Sequence, residues 1–85
     1  MVNVSGRLID YWTGKPIVGA TVMFGSVLAT TNENGEYNVP SLSPSKYTVT
    51  IIHKDYERTT ITADLSSEGA YTIEPIRVKP IFKAL

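Results

Sequence analysis

The chain has 85 residues, of which 42% are apolar and 19% charged, and its eight basic residues balance eight acidic ones. This length allows one domain, and the apolar content is too high for a disordered chain. A net charge of zero with no charge cluster disfavours nucleic acid or an anionic membrane as partner, and the absence of cysteine excludes disulfides, thiolate metal sites and a cysteine nucleophile.

Turn residues recur about every 8–12 residues, and short runs rich in Val, Ile, Thr and Tyr lie between them, which is typical of an all-β sandwich. The first predicted strand covers residues 2–9, where Gly6 indicates a bulge or a close backbone approach. A turn follows at residues 10–16, with Gly14 at its positive-φ position. Further strands are predicted at residues 20–24, 27–31, 36–39, 46–53, 58–63 and 70–78.

Two local signals predict how these strands connect. Asn34-Gly35 predicts a tight hairpin between the third and fourth strands. Pro75 lies within the last run, so we expect an edge strand or a bulge there. Alternation places the following side chains on inward faces: Val2, Val4, Leu8, Ala20, Val22, Phe24, Tyr37, Val39, Tyr47, Val49 and Ile51.

The two ends of the chain carry different signals. The amino terminus has no basic region followed by an apolar one, and no apolar run approaches the length of a bilayer span. Residues 80–85 form an apolar tail, which either packs back on the sandwich or continues into further sequence. We therefore expect a soluble domain, cytoplasmic as it stands, or extracellular or at a cell surface if it is part of a longer exported protein.

Four motifs in the chain become specific through their order and spacing. They are V-S-G-R-L-I-D at residues 4–10, T-G-K-P-I-V-G-A-T-V at 13–22, T-T-N-E-N-G-E-Y at 30–37 and S-K-Y-T-V-T-I at 45–51. Together they resemble the carboxypeptidase regulatory-like domain over about residues 2–79. Asn32 stands where that family often has Asp, and Pro44-Ser45 replaces its usual Pro-Gly. Both departures fall at turn positions.

The resemblance implies a fold and a type of role. It implies a transthyretin-like Greek-key sandwich of about seven antiparallel strands, and with the chain length we expect a single domain over residues 1–85. It also implies a noncatalytic accessory or spacer module, of the kind attached to peptidases, outer-membrane receptors or surface proteins. The partner would be another protein or a neighbouring domain.

The residues themselves give little support to catalysis, a cofactor or a metal. His53 is the sole histidine, and no serine lies in a nucleophile elbow. The oxygens of Asn32, Glu33, Asn34 and Glu36 could serve a calcium ion, but the spacing lacks a twelve-residue loop with a distal Glu, and a tight turn explains them all. We predict no catalytic, cofactor or metal site.

The predicted turn at residues 10–16 does not require aromatic side chains, yet it contains Tyr11 and Trp12. Exposed aromatic side chains on sandwich loops anchor protein partners or stack on sugars, so Tyr11 and Trp12, together with Tyr56, are the candidate contact residues. A structural alternative is that Trp12 folds over the open end of the core. The predicted function is thus a protein-binding accessory module, with a carbohydrate-binding module as the alternative.

Threonine-rich strand faces indicate a further capacity for assembly. Thr48, Thr50, Thr59, Thr60 and Thr62 give polar but uncharged surfaces. Such surfaces sit well in solvent, and they can also pair across an edge or pack in a homo-oligomer, because a hydroxyl costs less to desolvate than a charge.

Overall fold

The computed structural model describes residues 1–81, which form eight strands packed as two four-stranded sheets. The strands are β1 (Val2–Asp10), β2 (Thr21–Phe24), β3 (Val27–Thr30), β4 (Glu36–Leu42), β5 (Ser45–His53), β6 (Tyr56–Leu65), β7 (Gly69–Thr72) and β8 (Ile76–Val78). The predicted all-β sandwich is confirmed. Over these residues no helix is long and apolar enough to cross a membrane. Residues 82–85 of the predicted tail lie outside the described residues.

The first sheet is mixed, which corrects the prediction of an antiparallel sandwich of about seven strands. β1 pairs antiparallel with β4, but parallel with both β7 and β8. The predicted last strand is divided at residues 73–75, since Pro75 has no N–H to donate, so two short strands follow one another along β1. Because the chain crosses from the second sheet between β6 and β7, no hairpin imposes an antiparallel direction. Pro75 itself lies in no strand, so the expected edge strand or bulge is instead a break in the sheet edge between β7 and β8.

The second sheet has the order β3-β2-β5-β6 and is antiparallel throughout. β3 and β4 therefore belong to different sheets, and the predicted hairpin at Asn34-Gly35 is wrong. The turn itself is present, with Gly35 at φ 74°. It carries the chain from one sheet to the other, and Leu8 N donates to Gly35 O at 2.8 Å, which holds the crossover against β1.

The core lies between the inner faces of the two sheets. Every side chain predicted to face inward is buried except Tyr47, which is half-buried. Alternation thus located the inner faces correctly on four strands, β1, β2, β4 and β5. The core also takes in residues from loops and later strands: Ile17, Leu42, Leu65, Ile76 and Val78.

Gly6 marks a close approach within the core, as predicted, and the approaching group is a side chain. A Cβ atom at Gly6 would lie 2.6 Å from Cζ of Tyr37, so the tyrosine ring occupies the space that a side chain would need. Among the described residues the buried Tyr37 hydroxyl has no hydrogen-bond partner. Burial raises the pKa of Tyr37 to about 12.

Candidate functional site

The loop that carries the two exposed aromatics is built by Asp10, the last residue of β1. Asp10 Oδ1 accepts the N–H groups of Trp12 at 2.8 Å and Thr13 at 3.0 Å. Gly14 N donates to the carbonyl of Asp10 at 3.0 Å, and Gly14 takes the predicted positive φ, 72°. An Asp side chain that bonds the backbone two and three residues onward fixes a turn. The loop is therefore ordered by its own sequence.

This loop holds Tyr11 and Trp12 outside the core. Trp12 is 62% exposed and Tyr11 39% exposed, so Trp12 does not close the open end of the core. Their rings meet edge to face with centroids 4.8 Å apart. Tyr11 N donates to Val78 O at 2.9 Å, and Lys79 Nζ lies 5.0 Å from the Tyr11 ring centroid. Both rings are thus oriented before any partner arrives.

Tyr56 lies beside them and supports the loop. Its hydroxyl donates to Asp10 Oδ2 at 2.8 Å, and its ring is half-buried. The Asp10 carboxylate therefore links Tyr56 to the loop that carries Tyr11 and Trp12. We call Tyr11, Trp12 and Tyr56 the aromatic cluster.

The bonds around Asp10 shift two ionisation equilibria. The N–H of Thr13, and then the Tyr56 hydroxyl, hold the pKa of the Asp10 carboxyl below its usual value. Desolvation first, and then the hydrogen bond to Asp10, raise the pKa of Tyr56 to about 12. Asp10 is accordingly a carboxylate and Tyr56 a neutral donor at neutral pH.

His53 packs against the cluster and has a structural use. Its ring meets that of Tyr56 edge to face at 5.2 Å. Nδ1 accepts the N–H of Asp55 at 3.0 Å, so the proton must lie on Nε2, which donates to Val18 O at 3.0 Å. Nδ1 is engaged within the β5–β6 turn, and Nε2 joins that turn to the loop before β2. The side chain of His53 is half-buried.

In the crossover turn between β3 and β4, the side-chain oxygen of Asn32 accepts hydrogen bonds from the turn's own backbone. Asn32 Oδ1 accepts the N–H groups of Asn34 at 2.9 Å and Glu36 at 3.0 Å. Its carboxamide is therefore occupied within the turn. Across residues 1–81 no group of three or more His, Cys, Asp or Glu side chains is placed to hold a metal ion.

The structure adds features that sequence reasoning missed. The role of Asp10 has a local signal, an Asp four residues before a glycine in a turn. Lys79 has none, because it reaches Tyr11 from the far end of the chain. An open cleft of about 620 Å³ lies elsewhere, beside Gly6 and Pro75. Its lining includes Arg7 and Asn38, whose side chains already donate to Asn34 O and Asn3 Oδ1, so we assign it no ligand.

The chain matches the sequence pattern of a known family. The sequence pattern of the carboxypeptidase regulatory-like domain matches residues 3–79. No curated protein sequence matches the chain at a significant level.

Solved structures share the fold at low sequence identity. A chain of a type II cohesin–X–dockerin complex from Acetivibrio cellulolyticus, a C-terminal interface mutant, superposes with a TM-score of 0.75, at 20% identity over 94% of this chain and 57% of that one. An N-terminal interface mutant of the same complex gives a TM-score of 0.71 at 21% identity, over the same shares of the two chains. A DUF3823 family protein from Bacteroides ovatus gives 0.67 at 21% identity, over 94% of this chain and 46% of that one. The chain thus spans about half of the solved chains that it matches.

Proposed function

The chain belongs to the carboxypeptidase regulatory-like domain family, and from this membership we propose that it is a noncatalytic accessory module. It binds another protein or a neighbouring domain, and Tyr11 and Trp12 make the contact. Tyr56 supports them by holding Asp10.

The exposure of Trp12, 62%, carries this proposal. Tryptophan and tyrosine dominate the binding energy of protein interfaces because each buries a large ring at a small cost in side-chain entropy. The loop beneath Trp12 is already fixed by the bonds to Asp10, so a partner need not order it. An exposed, preordered tryptophan suits binding better than it suits folding.

The structural neighbours are consistent with such a role. Two of the matching chains come from a cohesin–X–dockerin complex, in which proteins associate. A sandwich of this fold can therefore occur within a chain that takes part in a protein assembly. Fold alone does not carry that property to this chain, and the argument rests on the cluster.

A site-specific cross-link tests the proposal. Trp12 is replaced by a photoreactive phenylalanine analogue in the full-length protein, which is produced in the organism that naturally makes it. The exposed Thr62 of β6 is replaced in the same way as the matched control. We expect light to join position 12 to one protein species, or to another domain of the same polypeptide, and position 62 to neither. Equal labelling at both positions would contradict the proposal.

Carbohydrate binding is the second candidate, and the exposed Trp12 ring favours it too, since aromatic rings stack on sugars. Trp12 is the sole tryptophan, so its fluorescence reports directly on this surface. A titration with soluble oligosaccharides should leave the emission unchanged under the leading proposal. A saturable shift that is lost in Tyr11→Ala would replace it with the carbohydrate function.

A further inference from the structure

The two sheets expose strand edges that differ in protection. β4 carries Pro40, and its register with β1 shifts between Val2 and Val4. β6 carries Glu57 and Arg58. The edge made by β7 and β8 is interrupted at residues 73–75. Proline, irregular pairing, charge and very short strands are among the devices by which natural sheets prevent edge-to-edge association.

β3 has only its shortness, four residues, to protect it. Its four residues, Val27–Thr30, include no charge and no proline, and they pair with β2 without a shift in register. The side chain of Leu28 is 61% exposed. A strand with free N–H and C=O groups and an exposed leucine is a template for another strand.

The pairing of β3 with β2 settles which backbone groups are free. A two-residue loop, Gly25-Ser26, joins the two strands, so the flanking Phe24 and Val27 form a hydrogen-bonded pair. Bonding alternates along the ladder, and the N–H and C=O groups of Leu28 therefore point away from β2. These groups lie at the open edge.

The row of side chains that crosses the outer face of the same sheet from Leu28 is also uncharged. Leu28 lies directly opposite Met23, which lies opposite Thr50, which in turn lies opposite Thr60. Ile52 is also exposed on this sheet, at 36%. A partner strand at β3 therefore meets hydroxyl and apolar side chains and no charge.

We propose that β3 pairs antiparallel with β3 of a second copy of this chain, with Leu28 opposite the same residue of that copy. The open edge requires an extended, uncharged strand, and β3 is itself such a strand. A net charge of zero gives the two copies no long-range repulsion. The pairing would join two four-stranded sheets into one of eight strands, and the four-residue edge makes the dimer a weak one.

Sedimentation equilibrium of the chain from about 10 µM to about 1 mM, the range in which weak interfaces dissociate, tests this proposal. We expect a reversible monomer–dimer equilibrium. Leu28→Lys places a charge at the edge and should weaken dimerisation at least tenfold, about 1.4 kcal/mol. Thr62→Lys, on the edge strand β6, is the matched control and should leave dimerisation unchanged. So should Trp12→Ala, which separates this proposal from the binding role of the aromatic cluster.

Hydrogen exchange supplies a second readout that does not depend on a variant. The amide of Leu28 should exchange more slowly as the protein concentration rises, while amides of β6 should not change. A chain that remains monomeric at the highest concentration would overturn the proposal. So would a dimer that Leu28→Lys leaves intact, or concentration-dependent protection on β6 in place of β3.

Discussion

At the scale of single residues, Asp10 ties together parts of the chain that are far apart in sequence. One oxygen orders the loop that carries Trp12, and the other accepts the hydroxyl of Tyr56, 46 positions away. Its backbone belongs to β1, opposite Val78 of β8. The exposed aromatics are therefore attached to the sandwich through a residue whose charge can be titrated.

The pH dependence of the loop follows from the lowered pKa of Asp10. The stability contributed by this carboxylate is present above its unfolded pKa of 3.8 and is lost as the pH falls through the lower folded value. Wild-type Trp12 fluorescence should change in that acid range, and Asp10→Asn should remove the change. Asp64→Asn is the control, because Asp64 also has a lowered pKa but bonds Ser66 instead. An acid transition at Trp12 that persists in Asp10→Asn would contradict this assignment.

Tyr37 provides an opposite case, a buried polar atom without a partner. Because its hydroxyl forms no hydrogen bond within the described residues, Tyr37→Phe should leave the free energy of unfolding at neutral pH unchanged or slightly increased. The raised pKa, about 12, means that wild-type stability falls as the pH rises from 10 to about 12, and the variant should lose less there. Urea unfolding of wild type and Tyr37→Phe, at neutral pH and at a pH near 12, measures both effects. A loss above about 1 kcal/mol at neutral pH would indicate a hydroxyl that is bonded after all.

At the scale of elements, Gly14 and Gly35 adopt the same φ to within a few degrees, 72° and 74°, in turns that differ in packing. A Cβ at Gly14 would meet no described atom within 4 Å, whereas one at Gly35 would lie 2.5 Å from Leu8 O. Gly14→Ala should cost about 1–2 kcal/mol from the left-handed conformation alone. Gly35→Ala should cost at least about 2 kcal/mol more, because the crossover must move off β1. Equal losses in urea unfolding would contradict the packing of the crossover.

Local patterns predicted some elements well and failed on others for a physical reason. Alternation located the inner faces, and Gly6 and Gly14 marked a close approach and a turn. The pairing after Asn34-Gly35 was wrong because a turn signal is local, whereas membership of a sheet depends on distant strands. The same limit applies to the parallel pairing of β7 and β8.

The candidate site, too, was predicted only in part from the sequence. Tyr11 and Trp12 stood out because their turn did not need them. Their exposure, and the bond from Tyr56 to Asp10, depend on residues brought together from β1, β6 and the segment after β8, which no local pattern contains. Sequence therefore named the aromatic residues but could not show what holds them.

At the scale of the whole molecule, the two proposed surfaces involve different parts of the sandwich. The aromatic cluster joins the end of β1 to the start of β6, whereas the unprotected edge is β3 of the second sheet. A module built in this way could bind its partner through the cluster while two copies pair through β3. Neither surface uses a catalytic group.

The unfolding free energy of Trp12→Ala, measured by urea denaturation, tests the central claim most directly, since a tryptophan held out for a partner contributes little to its own fold. We predict a change within about 0.5 kcal/mol of wild type, as for other exposed substitutions. Phe24→Ala, fully buried in the core, is the reference and should lose about 3–5 kcal/mol. A loss for Trp12→Ala as large as that of Phe24→Ala would make Trp12 a core residue and contradict the account.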